Sequence, residues 1–109
     1  MFHWYVDMRK GFCAKIDFLT TNEGGRVSAA RTGYRPPLLF PFHPITHHDA
    51  YFEFVDSEWI SPGESCTARV FPSHPEFLAN VALGEPFDIR EGAVTVARGH
   101  VTDFIEKTD

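Results

Sequence analysis

Eight glycines and eight prolines cut this 109-residue chain into short stretches in which apolar and polar side chains alternate. Alternation of period two turns one side of a segment toward a core and the other toward water. That is the pattern of a half-buried β-strand, not of a helix. Over residues 12–19, Phe12, Ala14, Ile16 and Phe18 point one way and Cys13, Lys15, Asp17 and Leu19 the other. Residues 49–56 repeat the pattern, with Ala50, Phe52 and Phe54 inward and Tyr51 and Glu53 outward. Residues 65–71 do so again with Cys66, Ala68 and Val70 inward, and Phe87 and Ile89 begin another strand. The longest candidate covers residues 93–105. Its apolar phase slips across Gly99, which places a β-bulge there.

The breakers between these strands specify the turns. Gly24 and Gly25 can take positive φ, so residues 20–26 read as a tight hairpin with a return strand over 27–32. Pro62-Gly63 suits the centre of a type II turn. Pro36, Pro37, Pro41 and Pro44 remove ladder donors, so Leu38, Leu39, Phe40 and Phe42 are expected in a short edge strand or extended segment. Pro72 ends its strand, and residues 74–83 have room for one helical turn. The sum is an all-β chain of about six strands with almost no helix, a small antiparallel barrel or sandwich. Residues 1–11 fall outside the alternation. They read as an N-terminal extension, available as an added edge strand or a cover for an open barrel end, ahead of a single domain over 12–109.

Eleven phenylalanines within a 43% hydrophobic chain supply a real core and argue that a six-strand barrel is filled with side chains rather than ligand. No apolar run reaches the ~18 residues of a membrane helix. The first ten residues lack the order of a signal peptide, so a cytoplasmic location is expected. The net charge of −5 disfavours unspecific contact with nucleic acid or anionic lipid. Cys13 and Cys66 match no metal or redox spacing and are expected to be reduced, small buried side chains.

Candidate chemistry is sparse. His43, His47, His48 and Asp49 form the densest set of metal-ligand types. Adjacent histidines on an extended segment face opposite ways, so the segment reads as a polar loop and no metal or cofactor is expected. A phosphate-binding Gly-x-x-x-x-Gly-Lys-Ser/Thr loop is missing, so GTP binding by this chain alone is not expected. Glu23, Asp88 and Glu91 flank glycine turns and read as solvated turn residues rather than an acid–base pair. Ser28, Ser57, Ser61 and Ser73 sit in no nucleophile-elbow context. No enzyme activity is therefore expected. Arg26, Arg31 and Arg35 put three positive charges within ten residues, and Tyr34 and Arg35 precede Pro36 at a rigid corner. Tyrosine and arginine dominate binding hot spots. Arg26, Arg31, Tyr34, Arg35 and Pro36 are thus the candidate partner-binding residues. The competing reading packs Tyr34 on the barrel rim and pairs Arg35 with a carboxylate.

The turn signatures occur in a particular order: Glu23-Gly24-Gly25-Arg26, then Gly33-Tyr34-Arg35-Pro36, Pro62-Gly63-Glu64, His74-Pro75 and Ile89-Arg90-Glu91-Gly92. Over about residues 12–105 this series resembles the C-terminal β-barrel domain of bacterial elongation factor Tu, and a stand-alone domain of this type, with no GTPase domain before it, is expected. The resemblance implies a closed barrel with binding roles: packing on a GTPase domain, contacting the T-stem backbone of aminoacyl-tRNA and helping to hold a nucleotide-exchange factor. The chain departs from the family pattern at Val27, Ser28 and Ala29, at Pro37, Leu38 and Leu39, around residues 43–49, and at Ala93 and Val94. The retained residues turn the barrel's corners; the replaced ones include phosphate-facing and partner-facing groups. A kept fold with an altered partner follows. The first expectation is a protein-binding module linked to translation or to a toxin–immunity system. The alternatives are tRNA or RNA-backbone binding and a small-ligand barrel.

Overall fold

A computed structural model describes residues 9–41 and 47–107. Eight strands form: β1 (Arg9–Phe18), β2 (Ala30–Arg31), β3 (Pro37–Leu39), β4 (His47–Phe54), β5 (Trp59–Ile60), β6 (Ser65–Pro72), β7 (Pro86–Glu91) and β8 (Val94–Glu106). Six of them close into an antiparallel barrel in the order β1-β6-β4-β3-β7-β8, and β2 and β5 pair separately as a small two-stranded sheet. The helical content among the described residues is two 3-10 turns, Thr21–Glu23 and Pro75–Asn80.

The alternation seen in the sequence becomes the barrel wall. Phe12, Ala14, Ile16 and Phe18 of β1, Ala50, Phe52 and Phe54 of β4, and Ala68 and Val70 of β6 are buried, and Phe40, Phe87, Ile89 and Val101 join them. Rings fill the interior in edge-on and tilted contacts, with Phe12 5.5 Å from Phe87 and 6.2 Å from Phe40. Among the described residues, no polar or charged residue is buried. This interior is packed hydrocarbon of the kind that burial of apolar area stabilises.

Four expectations need correction. First, residues 20–26 do not form a hairpin. Both edges of β1 are already taken, by β6 and β8. The chain instead makes a 3-10 turn capped by Thr20, and the next strand is only Ala30–Arg31, paired with Trp59–Ile60. Second, the proline-rich stretch is not an edge. β3 lies between β4 and β7, and it manages this by being short: Pro37 faces Asp49 of β4, while only Leu38 and Leu39 also pair with β7. Third, Gly99 is not a bulge. It pairs in register with both Ile16 and Phe87. Two register shifts lie nearby, between Cys13 and Ala14 on the β1 side and between Ile89 and Arg90 on the β7 side, and a third lies farther off between Arg9 and Gly11. Gly99 is glycine for space, since a Cβ would lie 2.7 Å from Phe87 Cζ and 2.9 Å from the Lys15 carbonyl oxygen. Fourth, residues 9–11 of the expected extension belong to the barrel, where Arg9 faces Glu106 and Gly11 faces Ile105. The remaining expectations for residues 1–8, and for Phe42, His43 and Pro44, fall outside the described residues.

Candidate functional site

The turns between β1 and β4 carry the candidate residues. At the end of β1 the Thr20 side chain caps the Glu23 N–H, and the Glu23 carboxylate accepts from the Thr20 N–H at 2.9 Å, a reciprocal capping box. That backbone hydrogen bond, then the one from the Thr20 hydroxyl, holds the Glu23 carboxyl below its ordinary pKa. Gly24 ends the turn at φ +94°, a left-handed conformation that favours glycine. This geometry brings Arg26 back over the barrel.

A second turn sets the Tyr34 corner. The Tyr34 N–H donates to the Arg31 carbonyl at 2.9 Å, with Gly33 at φ +99°. Residues 33–36 then run along β4: the Gly33 N–H donates to the Phe52 carbonyl, the Phe52 N–H to the Tyr34 carbonyl, and the Ala50 N–H to the Pro36 carbonyl. Pro36 is buried here, so its contribution is to fix this backbone.

The three arginines that sequence analysis grouped end up on three separate aromatic rings. The Arg26 guanidinium lies 5.0 Å from the Tyr34 ring centre, that of Arg31 5.5 Å from Trp59, and that of Arg35 5.4 Å from Tyr51. Two of the three are also paired with carboxylates. Arg31 Nε and Nη2 both donate to Glu58 Oε1, at 2.9 and 2.7 Å, in an exposed pair. Arg26 Nη1 and the Tyr34 hydroxyl both donate to Glu91 Oε2. Partial burial opposes the Arg26 charge, but the Glu91 carboxylate outweighs it and the guanidinium pKa ends raised. Burial, reinforced by Glu91, pushes the Tyr34 phenol well above the ordinary tyrosine range. Tyr34 rests on Phe18 and Phe52, with ring centres 6.3 and 5.9 Å away, so it is both a rim residue and a hydrogen-bonded one. Arg35 is exposed.

Sequence analysis missed three members of this face. Trp59, about half exposed, faces Arg31 across the β2–β5 pair. Glu58 lies 27 positions from its arginine partner, and Glu91 lies 65 positions from Arg26. Glu91 reads in sequence as a turn carboxylate, and nothing local marks it as the acceptor that joins two loops.

The remaining candidates disperse. Glu23 serves its capping box, Asp88 lies 3.7 Å from Arg98, and Glu91 holds Arg26 and Tyr34. Of the histidine run, His43 lies outside the described residues, and His48 stacks on Phe77 with ring centres 3.7 Å apart. Neither cysteine is fully buried. Cys66 packs against the core, and burial, with Asp17, Glu64 and Asp56 adding to it, pushes its thiol up to about 11, so it stays protonated near neutral pH. Among the described residues, no helix is long and apolar enough to cross a membrane.

The fold is that of an all-β domain, a closed six-strand antiparallel barrel. The chain belongs to the family described as the elongation factor Tu C-terminal domain, whose model matches residues 5–105. It is thus a member of a translation-associated domain family.

Proposed function

We propose that the chain is a non-enzymatic docking module for a protein partner in translation, and that it binds through Arg31, Tyr34, Arg35 and the adjoining Trp59. Arg26 and Pro36 shape this face from behind, Arg26 through Glu91 and Pro36 through its backbone. The observation that carries the reading is the local neutralisation of charge. Arg26 and Arg31 each have a carboxylate partner, and an exposed tryptophan lies under Arg31. An aromatic platform with paired charges suits the centre and rim of a protein interface. RNA-backbone binding needs uncompensated positive charge along a strip, and the chain as a whole carries −5.

The test is capture of translation components from source-cell lysate by the wild type and by a Trp59→Ala/Arg35→Ala variant, with Lys15→Ala as control. Both variants alter exposed side chains. The reading expects one partner to be lost with the double variant and kept with the control. Equal capture by all three forms rejects this face. Retention of tRNA at low ionic strength, abolished by moderate salt, would favour the RNA alternative instead.

A further inference from the structure

The barrel closes unevenly. Nine residue pairs join β1 to β8, six join β1 to β6, six join β7 to β8, and five join β4 to β6. Three pairs join β3 to β4, where residues 33–36 add three more backbone hydrogen bonds to β4, and only two pairs, Leu38 with Ile89 and Leu39 with Asp88, join β3 to β7. The chemistry on both sides explains the short ladder. Pro37 begins β3 and pairs with β4, and continuing the β3–β7 register past Leu39 and Asp88 would set Pro41 opposite Pro86, two positions with no N–H to give. Past Leu39 and Asp88 the two strands separate around a groove lined by Leu39, Phe40, Pro41, Pro86, Phe87 and Asp88. Side-chain packing holds the seam beyond that point. The Phe40 ring lies 5.3 Å from Phe87 and 5.5 Å from Phe77. The 3-10 turn that carries Phe77 also packs on β1.

We propose that the barrel opens locally along the β3–β7 seam while its other seams stay closed, and that the Phe40–Phe87 contact is the clasp that sets how often this happens. A closed barrel offers no sheet edge. Parting these two strands produces a sheet edge on each of them. The inference stands apart from the Arg31–Trp59 face and does not need that face to bind anything. Its physical basis is that sub-global opening begins where backbone hydrogen bonds are fewest.

Native-state hydrogen exchange on the intact protein tests it. The amides that donate between β3 and β7 should exchange at least about tenfold faster than those of Ala14 and Ile16 in β1, and by an opening that low denaturant barely affects. A Phe40→Leu variant should widen that gap. A disulfide made from Leu39→Cys and Asp88→Cys, which are cross-strand neighbours, should narrow it. The bridge is built in a Cys13→Ser/Cys66→Ser background to prevent mispairing. The proposal is overturned if wild-type seam amides exchange together with β1 at the rate of global unfolding, or if a formed bridge leaves their exchange unchanged.

Discussion

β1 and the 20–36 segment are neighbours in the chain and opposites in how they are held. β1 is paired on both edges, and its buried side chains are entirely apolar. The following segment forms few ladder bonds. It is held by a capping box, two left-handed glycines, and an arginine and a tyrosine tied to one distant carboxylate. The first arrangement resists change at each of its buried positions, while Lys15 and Asp17 face solvent. The second depends on a few specific groups and leaves its outer side chains free to differ. Outward side chains of the second region can therefore be changed without disturbing the first, which is what the proposed docking role asks of this region.

The contrast breaks most easily in the core. Phe12→Ala removes a ring that touches Phe40 and Phe87, and should cost about 3–5 kcal/mol in denaturant unfolding. Gly99→Ala should cost about 1–3 kcal/mol, because the new methyl meets the Lys15 carbonyl as well as a movable ring. A smaller loss for Gly99→Ala than for the exposed left-handed Gly24→Ala would show that the barrel wall is softer than described.

Turn by turn, these two regions also differ in how far their sequence revealed them. The core strands were legible because period-two alternation is local: β1, β4 and β6 lie where Phe12–Phe18, Ala50–Phe54 and Ala68–Val70 placed them. The β2–β5 sheet was not, since two-residue strands are too short to show a period. The hairpin expected at Gly24-Gly25 failed because strand pairing is decided elsewhere. Gly25 is required for space, as a Cβ there would lie 2.4 Å from the Leu19 carbonyl oxygen. In the candidate site, Arg26, Arg31, Tyr34 and Arg35 stood out by type and spacing. Their partners Glu91, Glu58 and Trp59 did not, because contacts set by barrel closure leave no trace in the spacing.

Smaller effects sharpen the view of the loop face. Tyr34→Phe removes a hydroxyl that donates to a carboxylate in a half-buried site, and should cost about 1–2 kcal/mol. The pH dependence has a definite sign. The folded-state pKa of Tyr34 is raised, so its contribution is fully present below the unfolded tyrosine value of about 10 and is lost as pH climbs from there through the folded value. Thermal unfolding between neutral and strongly alkaline pH should show a steeper decline for the wild type than for Tyr34→Phe. Arg31→Ala breaks only an exposed ion pair, and its stability change should stay below about 1 kcal/mol even if binding is lost.

Site-specific photocrosslinking most directly tests whether the barrel is scaffold and the turn-built face is the contact. A photoreactive residue is placed at Trp59 in one protein and at Lys15, an exposed site on β1, in another, and each is irradiated in source-cell lysate. A discrete protein adduct from position 59 and none from position 15 is the predicted result. The same adduct from both positions, or from position 15 alone, would contradict it.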